Sequence, residues 1–156
     1  MAEDELVKKT LETSKTIAMV GVSSINKEIS TNIKRRPSTI VMKYMQEFGY
    51  KVIPVNPFSA GEEIHGEIIV SKLSDIKIPI DIVDVFRPSK ETPMIAKESV
   101  EIGAKVFCLQ YGIQSDEAKK IVEEKKIFYV SNKCIKQEYQ KLFLKVSPVF
   151  PALKNA

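Results

Sequence analysis

The sequence predicts an α/β fold: a doubly wound, mainly parallel five-stranded sheet with helices on both faces, in three layers. Three observations lead there. Five short, β-branched and mostly apolar runs recur along the chain, helical patterns lie between them, and no turn signal such as Asn-Gly joins one run to the next. Apolar runs of that kind suit strands covered on both faces, as in a parallel sheet. Right-handed strand–helix–strand units are then the economical connection.

Each element has a local reason. Residues 1–14 read as an amphipathic helix packed on the domain, with Leu6, Val7, Thr10 and Leu11 on one side. The predicted strands are Thr16–Val20 (TIAMV), Lys51–Val55 (KVIPV), 80–86 (IDIVDVF), 105–109 (KVFCL) and 127–130 (IFYV). A helix over residues 39–48 places Val41, Tyr44, Met45 and Phe48 on one stripe, and Gly49 ends it as a left-handed cap. A second, over 93–102, takes Thr92 as N-cap and Pro93 as its first residue, with Gly103 closing it. Ser115 caps a third, whose first turn carries Asp116 and Glu117 against the positive end of the dipole. Asn132 is the expected cap of a last helix through Phe143. The domain therefore spans 15–145, and the tail 146–156, with two prolines, is expected to be irregular.

Composition narrows the function classes. The chain has 156 residues, 44% of them hydrophobic and 28% charged, enough to bury a core without disulfides or metal. Cys108 and Cys134 are too few for a disulfide framework and form no CxxC pair, so no metal site is expected. The single histidine, His65, lies in a loop, where structural or solvent-facing roles are commoner than catalytic ones. No apolar stretch approaches the roughly 20 residues needed to cross a bilayer, and the acidic N-terminus is unlike a signal peptide. A cytoplasmic protein with no membrane partner is the expectation. The net charge of +4 is modest, and without a helix-turn-helix pattern no nucleic-acid partner is expected, although Lys34, Arg35 and Arg36 cluster.

Doubly wound sheets bind ligands beyond the carboxyl ends of their strands, where strand order reverses. The first strand runs into Gly21, Val22 and Ser23, a point where backbone can approach a phosphate. The loop 24–35 then leads to a helix start flanked by Arg36, Ser38 and Thr39, whose free N–H groups suit a diphosphate. A solvated loop with Ser38 as a plain N-cap is the competing reading. The second strand ends in Asn56-Pro57, also a turn, with no Asp or Glu to hold a ribose 2′-hydroxyl. Only one glycine precedes Gly49, so the GxGxxG fingerprint is missing too, and both omissions argue against a nicotinamide dinucleotide. Phe86 and Arg87 leave the third strand, offering an apolar wall and a cation for phosphate or purine, with a surface ion pair as Arg87's plain alternative. Gln110, Tyr111 and Gly112 end the fourth. Asp81 and Asp84, three apart, fall on opposite faces of a strand and make no acid/base pair.

Five segments in order carry a resemblance: IAMVGVS (17–23), RPSTIVMKYMQEFGYKVIPVNP (36–57), DIVDVFRP (81–88), GAKVFCLQYGI (103–113) and NKCIKQEY (132–139). Together they resemble the CoA-binding domain family of small stand-alone Rossmann-type proteins. That family is similar to the N-terminal domain of the succinyl-CoA synthetase alpha subunit. The resemblance implies coenzyme A or an acyl-CoA as ligand. Its ADP part would lie over Gly21, Val22, Ser23 and the helix near Ser38 and Thr39, with Asn56 and Pro57 beside the adenosine. Phe86 and Arg87 would lie beneath it, and Gln110, Tyr111 and Gly112 near the pantetheine.

This chain departs from the family pattern in three places. The loop after Ser23 is longer, Phe58 stands where relatives often have a basic residue, and Cys108 replaces a tryptophan common among them. Lys27 or the cluster 34–36 is available to make up the lost basic contact.

The synthetase works through a phosphorylated histidine in a second domain that has no counterpart in these residues. No Ser/His/Asp triad, carboxylate pair or HExxH is visible, so the expected role is a carrier, sensor or partner module, with no catalysis. The alternatives are an NAD(P)-dependent oxidoreductase on the same fold or a regulatory nucleotide-binding protein. The terminal helices would support a homodimer or a partner protein. Cys134, expected in the first turn of the last helix, is the one candidate for a reactive thiol; a buried structural cysteine is its alternative.

Overall fold

The computed structural model describes residues 3–22 and 37–144. Five strands form one parallel sheet: β1 (Thr16–Val20), β2 (Lys51–Val55), β5 (Ile82–Val85), β6 (Val106–Leu109) and β7 (Phe128–Val130). Their order is β2-β1-β5-β6-β7, so the direction of winding reverses between β1 and β5. Register runs Ile17 to Val52 on one side of β1 and Ile17 to Ile82 on the other. The helices are α1 (Glu3–Thr13), α2 (Pro37–Glu47), α3 (Thr92–Glu101), α4 (Asp116–Glu123) and α5 (Ile135–Tyr139).

Side-chain alternation along each strand builds two cores. Ile17 and Met19 of β1, Ile82 of β5, and Val106 and Cys108 of β6 face one layer, covered by Val7 and Leu11 of α1, Val41, Met42 and Met45 of α2, and Ile135 of α5. Ala18, Val20, Val83, Val85, Phe107 and Leu109 face the other, under Ile95 and Ala96 of α3 and Ala118 and Val122 of α4. This is the expected three-layer arrangement. Its energy is hydrophobic: each fully buried Ile, Met or Phe contributes about 1.5–3 kcal/mol relative to exposure.

Several expected details differ. Pro37 opens α2, two residues before the predicted start, because proline's fixed φ and missing N–H suit a first helical position. Ser38 is thus inside the first turn rather than a cap. Met42 joins Val41 and Met45 on the buried stripe, against which Tyr44 packs partly buried, whereas Phe48 is exposed, its ring 4.8 Å from those of Tyr44 and Tyr139. Leu6 of α1 is likewise exposed. Thr92 does not cap α3, since a 3-10 turn over Ser89–Glu91 precedes it and the Thr92 hydroxyl donates back to Ser89 O at 2.7 Å. Ser115 does cap α4, accepting from Ala118 N at 3.1 Å. Asn132 caps nothing: it adopts a left-handed φ of 57°, Cys134 holds the cap position of α5, and the helix passes into a π-helical turn over Gln140–Leu144. The tail beyond residue 144 lies outside the described residues.

A two-stranded antiparallel hairpin, β3 (Glu63–Ile64) and β4 (Glu67–Ile68), was not anticipated. Its turn is His65-Gly66, with φ of 49° and 84°. Positive φ at both central residues matches the mirror-image turn that hairpins favour. Ile64 anchors it in the core, while His65 is held against α2, its Nε2 3.2 Å from Thr39 O and its carbonyl accepting from Gln46. The histidine is a brace.

Among the described residues no helix is long and apolar enough to cross a membrane.

Candidate functional site

The carboxyl ends of β1, β2 and β5 meet where the winding reverses. Gly21 is required there twice over. Its φ is +104°, and an added Cβ would lie 2.7 Å from Phe86 O. Its N–H donates to Val55 O at 2.8 Å, and Phe86 N donates to Val20 O at 2.8 Å, stitching the three strand ends together. Asn56, nearly buried, extends the stitching: its Nδ2 donates to Val22 O at 3.0 Å and its Oδ1 accepts from Phe58 N at 2.9 Å. The second bond is the local turn that Asn makes with the backbone two residues on.

Beside these ends opens a cleft of about 560 Å³. Of the expected residues it gathers Gly21, Asn56, Pro57 and Arg87, and it adds Phe58, Lys72, Lys90, Glu91, Met94 and Glu98 among others. Arg87 is not free in it. Nε and Nη2 donate to the two carboxylate oxygens of Glu91 at 2.9 and 2.8 Å. These bonds raise the arginine's pKa and hold Glu91 below the usual carboxylate range. The plain surface ion pair is the ground-state reading of Arg87.

The other expected residues fall in two further groups. On the α2 side, Val22, Ser38 and Thr39 are buried, and the Ser38 hydroxyl lies 3.5 Å from Gly21 O, which brings the start of α2 against the end of β1. Phe86 is half-buried and packs against the same core. At the end of β6, Gln110 is nearly buried, Tyr111 is exposed and donates its hydroxyl to Gln137 Oε1 at 2.6 Å, and Gly112 N donates to Asn132 Oδ1 at 2.7 Å. None of these three lines the cleft. Ser23, Arg36, Lys27 and the cluster 34–36 lie outside the described residues.

Two carboxyls have opposite fates. Asp81 accepts from Lys15 N at 2.8 Å and Thr16 N at 3.2 Å and faces Lys105 Nζ at 3.4 Å. Burial works to raise its pKa, but these bonds win and hold it low. Asp84, next to the end of β5, is fully buried, and neither oxygen has a hydrogen-bond partner among the described residues. Burial pushes it up to about 8, offset only in part by the Cys108 thiol beside it. Its signal was readable: an acid in an apolar strand whose alternation points it inward.

Both thiols are buried. Cys134 stands at the cap position of α5 rather than in its first turn, and burial raises it above its ordinary value despite backbone N–H groups of α5, as the buried structural reading has it; Cys108 is raised well above. Among the described residues no group of three or more His, Cys, Asp or Glu is placed to hold a metal ion. The cleft combines closely approachable backbone at Gly21, apolar walls and cations. Sequence reasoning missed Lys72, Lys90, Met94 and Glu98, because no local pattern distinguishes a charge lining a cleft from one on an ordinary surface.

Comparison with known proteins bears on these features. A family model described as a CoA binding domain matches residues 15–140. The uncharacterized protein YneT of Bacillus subtilis (strain 168) is 41% identical over 130 residues, 83% of this chain and 89% of that protein. The cell-free ID.343 structure from Thermus thermophilus, 35% identical, superposes with a TM-score of 0.81 over 91% of this chain and 100% of that one. The dinucleotide forming acetyl-coenzyme A synthetase 1 of Ca. Korarchaeum cryptofilum shares the fold at 17% identity, with a TM-score of 0.57 over 74% of this chain and 25% of that one.

Proposed function

Since the chain belongs to the CoA-binding domain family, we propose that it binds coenzyme A or an acyl-CoA at the carboxyl ends of β1, β2 and β5. Its role is then that of a carrier, sensor or partner module, without catalysis of its own. The observation that carries the reading is the meeting of Gly21, the start of α2 and the cleft at one reversal of strand order.

Each part fits a segment of the ligand. The first turn of α2 presents the positive end of the helix dipole, which favours a diphosphate. The cleft's volume is within the roughly 300–1,000 Å³ of small-molecule sites, and its mixture of apolar wall and placed charge suits an adenosine with phosphates. Gln110, Tyr111 and Gly112 stand further along the rim, where an extended pantetheine arm would pass. A Tyr111 hydroxyl already bound to Gln137 is a fixed wall for such an arm.

The test is calorimetric titration of the purified chain with coenzyme A, alongside a thermal-shift comparison of coenzyme A, acetyl-CoA, NAD, NADP and ATP. A ligand that binds only the folded form raises its melting temperature. Heat of binding and the largest shift with coenzyme A or its acetyl ester are expected. Absence of binding at millimolar coenzyme A, or a larger shift with NAD, would overturn the reading.

A further inference from the structure

The cleft contains three cations, Lys72 from one segment and Arg87 and Lys90 from another, and they are not equivalent. Arg87 is held by two bonds to Glu91. Lys72 enters from the segment leading into the 3-10 turn Leu73–Asp75, and Lys90 from the turn before α3. Both lysines are exposed, and among the described residues neither forms an ion pair. Glu98 and Glu91 lie within electrostatic reach of Lys72 and Lys90 respectively, without joining them in such a pair. The same cleft holds Phe58 and Met94, 72% and 70% exposed, the highest values among the exposed large apolar side chains of the described residues. Two ammonium groups and two exposed apolar side chains thus line the same cleft.

We propose that Lys72 and Lys90 form a phosphomonoester seat, separate from the diphosphate position at the start of α2, that selects ligands bearing a phosphate on the ribose. This rests on the coenzyme A reading and deepens it. A lysine ammonium is a compact point charge, suited to a phosphate dianion that carries about −1.5 to −2 at pH 7. Coenzyme A has such a group at the 3′ position of its ribose. NAD, ADP and 3′-dephospho-CoA have none. Glu98 opposes the seat through Lys72, so the lysines' net attraction depends on that carboxylate.

The experiment titrates the full chain with coenzyme A and with 3′-dephospho-CoA, in the wild type, Lys72→Gln, Lys90→Gln, the double variant and Glu98→Gln. The wild type should prefer coenzyme A by about tenfold or more, the effect of one charged hydrogen bond. Each lysine variant should lose affinity for coenzyme A by roughly three- to tenfold while keeping that for the dephospho ligand. The double variant should bind both alike, and Glu98→Gln should widen the preference.

An undiminished preference in the double variant, with coenzyme A still bound, would overturn the seat and leave the coenzyme A reading standing. A wild type that binds neither ligand would take both down. Equal loss of both ligands in the lysine variants would show general electrostatic attraction, and that too overturns the seat.

Discussion

Replacing Asp84 by Asn tests the energetics of the buried acid. The carboxyl ionises near 3.8 when exposed and at about 8 in the folded chain. Between those values the unfolded chain has released a proton that the folded chain still holds. Stability therefore falls as pH rises, by about 1.4 kcal/mol per unit, and levels off above about 8. The full contribution is present only below the unfolded value. By pH 7 the accumulated cost is on the order of 4 kcal/mol, a large share of the 5–15 kcal/mol typical of a domain.

Asn keeps the shape and removes the ionisation. It also buries an amide that needs partners, which costs about 1–3 kcal/mol at every pH. The slope, rather than the absolute stability, is thus the diagnostic. Urea melts of both proteins at pH 5, 6, 7 and 8 should show the wild type losing about 4 kcal/mol relative to Asp84→Asn across that range. In melting temperature this is roughly 10 °C for a chain of this size. Other shifted acids, Asp81 and Glu91 held low and Glu98 raised by burial, are common to both proteins and cancel in the comparison. Parallel pH profiles would refute the reasoning, because they would mean Asp84 is hydrated or paired in solution.

Three further outcomes are expected. Gly21→Ala should destabilise the chain by about 1–3 kcal/mol in thermal melts and abolish coenzyme A binding, since its Cβ meets the Phe86 carbonyl at 2.7 Å and its φ is +104°; a variant that melts and binds like wild type would contradict the stitching of the strand ends. Ser115→Ala should cost about 1 kcal/mol through the lost cap on Ala118 N without changing ligand affinity, as measured by paired melts and titrations. Ellman's reagent at pH 8 should react with neither Cys108 nor Cys134 until urea is added, because both are buried with raised pKa values; rapid labelling of the native chain would restore Cys134 as a reactive thiol.

Much of the fold was legible because its determinants are local. TIAMV and KVIPV are strands at their predicted bounds, since a short, mostly apolar run rich in β-branched residues has few other ways to bury itself. Ser115 caps its helix because the bond spans three residues. Errors came where a residue had two local uses and a distant partner chose between them. Asn132 could cap a helix or adopt a left-handed turn, and the N–H of Gly112, twenty residues away in sequence, settled it. His65-Gly66 lacked the usual hairpin pair but makes the hairpin, pinned by Thr39 and Gln46 of α2.

The candidate site divides the same way. Gly21, Asn56, Pro57 and Arg87 could be named from strand ends alone, since a parallel sheet puts all its carboxyl ends on one rim. Arg87's pairing with Glu91 is local, four residues along the chain, and was one of the two uses its position offered. That Lys72 and Lys90 share a cleft, and that neither Asp84 oxygen meets a hydrogen-bond partner among the described residues, were decided only by the tertiary structure. Which groups meet across a cleft or inside a core depends on the segments the chain's crossovers bring together, and those distances are not written in any stretch of sequence.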